Sequence, residues 1–172
     1  ALVVSGGHTE LILMEDHYKF EKLGGTLDDA IGECYDKVAR VINLEYPGGP
    51  KVDKLAHIGK PSYKLPIPLQ DNSYNFSFSG LKSAVINLNH KFVQNGDEIN
   101  KEDLAASFQH VAIESIISKT KKALVDNNIK NLIVAGGVAA NQGLREEVEK
   151  LQKELDLNVT IPSMKYCTDN AT

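Results

Sequence analysis

Three glycine-rich turns hold most of the chemistry on offer in this sequence. Ser5-Gly6-Gly7-His8-Thr9 separates two short apolar runs, and without Cβ atoms at Gly6 and Gly7 its backbone N–H groups can close on an anion. Gly136-Gly137-Val138-Ala139-Ala140-Asn141 follows a strand-like apolar run and precedes an amphipathic helix, where a helix N-terminus favours a phosphate. Tyr46-Pro47-Gly48-Gly49-Pro50 ends a helical pattern and would wall a ligand cleft. Any one of them, taken singly, reads most simply as a turn. Neither the dinucleotide pattern G-x-G-x-x-G nor the P-loop pattern G-x-x-x-x-G-K-[ST] occurs.

Carboxylates are the second group. Asp28, Asp29, Glu33 and Asp36 crowd one predicted helix, and the last three share a face at i, i+4 and i+7. Like charges so spaced destabilise an isolated helix by roughly 0.2–0.5 kcal/mol per pair. The plainer reading is a solvated acidic face; the sharper one is a set of acceptors for sugar hydroxyls or a hydrated metal. No two of the five histidines stand at i, i+4, so no H-x-x-x-H metal site is built within the chain. His90 and His110 read as surface or helix-packing residues, and His8, inside the first turn, is the one to watch. Cys167-Thr168-Asp169-Asn170 adds a carboxylate beside a possible strand end.

The elements that must position these groups follow from periodicity. Residues 1–5 and 10–15 predict a hairpin across the first turn, with a third strand over Tyr18–Leu23. Thr26 would cap a helix running to residue 43, with Ile31, Tyr35, Val38, Ala39 and Ile42 on its buried face. A short helix near Lys51–His57 follows the Pro-Gly loop. Residues 59–79 predict irregular extended chain that must bury Phe76 and Phe78. Ser79 would cap a helix over Gly80–Phe92. A long helix follows over Lys101–Asn127, with acids at its start and Lys119, Lys121 and Lys122 near its end to suit the dipole. Asn131–Ala135 predicts a buried strand, Asn141–Leu155 a helix and Asn158–Ile161 a last strand, a βαβ ending that makes this an α/β domain.

Composition narrows the class. With 42% hydrophobic and 24% charged residues and no apolar run of membrane-spanning length, the expectation is a soluble globular protein without a membrane partner. Cys34 and Cys167 form no C-x-x-C pair, which suits a reducing cytoplasm. A net charge of -4 gives no broad footprint for nucleic acid, so RNA binding would need a local basic patch or a basic surface elsewhere in the protein. The first residues read as a strand entered halfway and the last stop as abruptly, so a piece of a longer protein, truncated at both ends, is expected.

Taken together, the pieces resemble the tRNA N6-adenosine threonylcarbamoyltransferases, formerly labelled O-sialoglycoprotein endopeptidases, of bacterial type. The resemblance rests on Val3–Leu11, Thr26–Glu33, Tyr35–Ala39, Tyr46–Pro50, Phe76–Lys82, Gly136–Asn141 and Cys167–Asn170, in the family's order along essentially the whole chain. It implies an α/β actin/Hsp70/hexokinase-like (ASKHA) nucleotide-binding fold, with residues 1–172 as the second of its two domains and a helical insertion over about 27–127. By position, Val3, Val4, Ser5, Gly6 and Gly7 would bind the phosphate side of an adenylate or ATP-type ligand. Asp36, Gly49 and Asp53 would meet its sugar and adenine, and Asn141 would close the site. Asp169 would ligate iron, Fe(2+), or zinc, Zn(2+), with two histidines of an H-x-x-x-H motif upstream of Ala1. The implied reaction transfers a threonylcarbamoyl group from threonylcarbamoyl-adenylate to N6 of adenosine 37 in tRNAs reading codons that begin with A. The implied protein partners are a non-catalytic paralogue and a small P-loop ATPase, and the isolated chain is expected to be inactive. A kinase or ATPase on the same superfold and a scaffolding paralogue are the alternatives; the endopeptidase label finds no H-E-x-x-H to support it.

Overall fold

The computed structural model describes residues 1–163 and Cys167. β1 (Leu2–Val4), β2 (Thr9–Asp16) and β3 (Lys19–Gly25) form an antiparallel meander. β4 (Asn131–Ala135) then returns beside β1 in parallel, and β5 (Asn158–Thr160) pairs parallel to β4, giving the order β3-β2-β1-β4-β5. Leu2, Val4, Leu11, Leu132 and Val134 alternate onto one face and are buried, which fixes the register because a one-residue slip would turn them all outward.

Four helices separate β3 from β4: α1 (Ile31–Val41), α2 (Gly48–Ala56), α3 (Ser79–Gln94) and α4 (Lys101–Asp126). A 3-10 turn (Gly137–Ala140) and α5 (Gln142–Leu155) carry the chain from β4 to β5. Ile31, Tyr35, Val38, Ala39 and Ile42 are all buried, as their helical spacing predicts. Residues 59–78 contain no helix and bury Phe76 and Phe78 completely. None of the described helices is long and apolar enough to cross a membrane.

Local capping differs from expectation in three places. Thr26 does not start α1: its hydroxyl donates to the Asp29 carbonyl at 2.8 Å, and α1 begins five residues later with Thr9 of β2 accepting the Ile31 N–H at 2.9 Å. Gly48 and Gly49 are not loop but the first turn of α2, where Pro50 is tolerated because its missing N–H would be an orphan anyway. Ser79 is the first residue of α3 rather than its cap. That helix is held from a distance by Asp28, whose carboxylate accepts from the Ser77 and Ser79 hydroxyls at 2.6 Å each and from the Phe78 N–H at 2.7 Å. The lysines near the end of α4 have other work too. Lys119 is buried and donates to the Asp71 carboxylate and to the Asp71 and Ser73 carbonyls, pinning the irregular stretch.

Gly136 is the tightest point of the fold. Its φ of 100° is open only to glycine, and an added Cβ would run into the Val4 carbonyl oxygen. Gly136→Ala is expected to lose at least about 2 kcal/mol of stability, since the backbone strain alone amounts to about 1–3 kcal/mol. Gly96→Ala, at a φ of 77° but with nothing within 4 Å, should lose distinctly less; urea midpoints of the two variants measure the difference. Burial works against the Asp28 charge, but the serine and backbone bonds outweigh it and hold the carboxyl below its ordinary value. Its contribution is therefore present above the unfolded pKa and lost as pH falls through the folded one, so wild type and Asp28→Asn should converge in stability below about pH 4. Denaturation midpoints across that range test it.

Candidate functional site

Parallel pairing brings the carboxyl ends of β1 and β4 to one edge of the sheet, where crevices in open α/β sheets hold their ligands. The first turn is tied by Ser5, whose N–H donates to the His8 carbonyl at 2.8 Å and whose hydroxyl accepts from the N–H groups of Gly7 and His8 at 3.3 and 3.0 Å. Beyond it Gly6 and Gly7 face open space, with nothing within 4 Å of the position a Cβ would take. The last turn lies directly alongside, through Gly136 against Val4.

One face of α1 touches every other piece. A Cβ on Gly32 would stand 2.7 Å from the Ser5 carbonyl oxygen and 2.8 Å from Gly6, so the helix start sits on the first turn. One turn on, the Tyr35 hydroxyl donates to Gln109 Oε1 at 3.0 Å and lies 3.4 Å from Asn141 Nδ2. Burial first, and then the charge of Asp53, push the Tyr35 phenol well above its ordinary value, which keeps it a neutral donor. Asp36 accepts the Gly48 N–H at 2.8 Å and so caps α2, leaving Gly49 beside Tyr35.

Asp53 and Asn141 complete the arrangement by capping α5. Asn141 Oδ1 accepts the Leu144 N–H at 2.8 Å, and Asp53 accepts those of Gln142 at 2.8 Å and Gly143 at 3.4 Å. The N-terminus expected to welcome a phosphate is thus already satisfied, and its dipole already faces a carboxylate. The N–H of Gly6, with no partner among the described residues, is left to face an anion at the edge, with Gly7 bare beside it. His57 of α2 stands 3.5 Å from both Asp53 and Glu146; its bond to the Asp53 carbonyl chiefly raises its pKa, against a smaller opposing effect of burial.

Each of the four acidic residues has a partner, though Asp28 stays exposed. Asp29 pairs with Lys37 at 2.9 Å and Lys82 at 2.8 Å, Glu33 pairs with Lys37 at 2.6 Å, and Asp28 and Asp36 cap α3 and α2. Burial opposes the Asp29 charge, yet Lys82 and Lys37 prevail and keep its carboxyl below the usual range. Its neighbour Cys34 is pushed up to about 12, first by burial and then by Asp29, which makes it an inert packing thiol. His8 and His110 are exposed.

Asp169 lies outside the described residues. Among those described, no three His, Cys, Asp or Glu side chains come together as a metal-binding group. The described residues by themselves therefore do not present an iron or zinc donor set.

Val3 to Gly7, Asp36, Gly49, Asp53 and Asn141 all border this edge or the helix starts behind it, whereas Gly32, Tyr35 and Gln109, which join them, were not singled out from the sequence. Gln109 had a signal: it is a polar residue at a buried phase of α4, between Phe108 and Ala112. Tyr35 had only its place in the apolar stripe.

The profile of the family described as TsaD, tRNA N6-adenosine threonylcarbamoyltransferase, matches residues 1–172. Proteins of that name from Staphylococcus saprophyticus and Bacillus subtilis are 55% and 54% identical over 99% of this chain. The chain spans about half the length of these relatives, 50% in each case. Among solved structures, T. kodakarensis HypF superposes with a TM-score of 0.61 at 17% identity, over 90% of this chain and 19% of that one. An activator of 2-hydroxyisocaproyl-CoA dehydratase from Clostridium difficile, with bound ADPNP, does so at 0.53 and 14%, over 95% and 53%. These likenesses show the fold alone, an α/β domain of the ASKHA type. By its matched sequence from end to end, the chain belongs to the tRNA N6-adenosine threonylcarbamoyltransferase family.

Proposed function

We propose that this chain supplies the nucleotide-holding half of an enzyme that transfers the threonylcarbamoyl group of threonylcarbamoyl-adenylate to N6 of adenosine 37 in tRNAs reading codons that begin with A. The observation that carries the reading is the shared edge of β1 and β4, where Gly6 and Gly7 lie open beside Gly136. A fold likeness to a protein with bound ADPNP supports an adenine nucleotide as the ligand.

The chemistry is acyl-type transfer from a mixed anhydride. The N6 amine attacks the carbamoyl carbon, the bond from that carbon to the phosphate oxygen breaks, AMP leaves and the amine gives up a proton. The N–H of Gly6, on a turn already tied by Ser5, would hold the phosphate as its charge grows, which stabilises a departing anion with little reorganisation. Gly49, beside Tyr35, would border the sugar and adenine, and Asp36 would hold the first turn of α2 there. The reading needs no covalent nucleophile, so positioning and charge stabilisation suffice. Iron or zinc on Asp169, with histidines from outside this chain, remains part of the proposal, as do tRNA, the paralogue and the small P-loop ATPase as partners and the cytoplasm as their place.

Two measurements on the full-length protein test it. Gly6→Ala and Gly7→Ala meet open space, so melting temperature should hardly move while ATP affinity falls at least about tenfold, roughly 1.4 kcal/mol, because a methyl group then stands where the phosphate approaches. Unchanged affinity would remove the first turn from the site. Labelled threonine, with ATP, bicarbonate and the partner proteins, should enter tRNA with wild type and not with Asp169→Ala. Wild type that splits ATP and labels no tRNA would transfer the reading to a kinase or ATPase.

A further inference from the structure

Gln109 joins four helices through one side-chain amide. It is 6% exposed, on α4. Its Oε1 accepts from Tyr35 Oη of α1 and from Asn141 Nδ2 at the head of α5, each at 3.0 Å. Its Nε2 donates to Asp53 Oδ1 of α2 at 2.9 Å. An amide with two donors at its oxygen and a carboxylate at its nitrogen cannot be turned over without setting like groups against each other. Gly143 closes the space around it, since a Cβ there would stand 2.6 Å from Gln109 Nε2. Asp53 and Asn141, which cap α5, are therefore bridged by an atom pair on a third helix.

We infer that Gln109 is a positioning residue for the nucleotide site: it sets where Asp53 and Asn141 stand, and through them where the first turn of α5 meets α2. The inference rests on the nucleotide reading above: Asp53 and Asn141 cap the helix that leaves the last glycine-rich turn, and so hold that turn at the shared edge. A buried partner left without its bond shifts or recruits water, and the two capping residues move apart. Gln109→Leu removes the bridge. Gln109→Glu keeps its shape and both acceptor contacts but faces Asp53 with a second carboxylate. Two carboxylates that close share one proton, whose pKa is raised, so the bridge is present below that pKa and lost above it. The titratable groups facing the pair are Tyr35 on α1, His57 on α2, His110 and Glu114 on α4 and Glu146 on α5. The wild-type profile measured alongside accounts for their own titration.

The test is ATP affinity of the full-length protein by calorimetry at about pH 6 and about pH 8, with melting temperatures, for wild type, Gln109→Leu, Gln109→Glu and Val148→Ala. Val148 is a buried residue of α5 outside the network and serves as a matched loss of stability. Gln109→Leu should bind at least about tenfold more weakly at both pH values. Gln109→Glu should bind weakly at the higher pH and recover at the lower one, and Val148→Ala should melt lower with its affinity intact. Should Gln109→Leu fail to fold, the pH profile of Gln109→Glu decides. Affinity of the Gln109 variants within about twofold of wild type, or a loss shared equally by Val148→Ala, overturns the positioning role and leaves the nucleotide reading standing. Wild type that binds no ATP removes both.

Discussion

Parallel pairing of β1 with β4 governs everything else in this domain. The two strands lie far apart in the chain, and parallel neighbours cannot be joined by a hairpin. The whole helical stretch from α1 to α4 lies between them in sequence. Their contact is also unusually close, because Gly136 admits the Val4 carbonyl where any side chain would collide with it. That approach sets two glycine-rich turns side by side at the carboxyl edge of the sheet.

Behind the edge, a polar network sits among four helices. Tyr35, Gln109, Asn141 and Asp53 exchange bonds across α1, α2, α4 and α5, and among the described residues no buried side-chain nitrogen or oxygen lacks a partner. A network of that kind is costly when half-made and rigid when complete. Completing it uses up the N-terminus of α5, whereas the glycines of the first turn leave its face bare. On the proposed reading, an anion site built from backbone on a short, tied turn would vary little with side-chain motion, which suits the holding of a leaving phosphate.

The cluster of carboxylates on α1 and just before it shows the same economy. Side by side on an isolated helix they repel; in the folded chain each is assigned to a different neighbour. Asp28 and Asp36 hold the starts of α3 and α2, and Asp29 and Glu33 share Lys37, with Lys82 reaching in from α3. The residues that looked most like a ligand or metal cluster are, in part, the fasteners that fix the helices around the site.

Element order, the buried faces of the strands and of α1, and the family itself were legible in the residues alone, because period-2 and helical spacing follow directly from backbone geometry and the glycine-rich motifs stand intact. So were the α4 and β4 boundaries, within one or two residues. What the sequence did not contain was the partner of each polar group. Thr26 and Ser79 have the right chemistry for caps, yet Thr9 and Asp28 do that work from other elements. Pro47-Gly48-Gly49-Pro50 reads as a breaker, yet it starts a helix because Asp36 supplies the acceptor. Gln109 shows only that it is a polar residue at a buried phase of α4, not which groups it joins. Periodicity is a property of neighbours along the chain and can be read there, whereas a hydrogen bond between residues far apart in sequence exists only once folding has put donor and acceptor within 3 Å of each other.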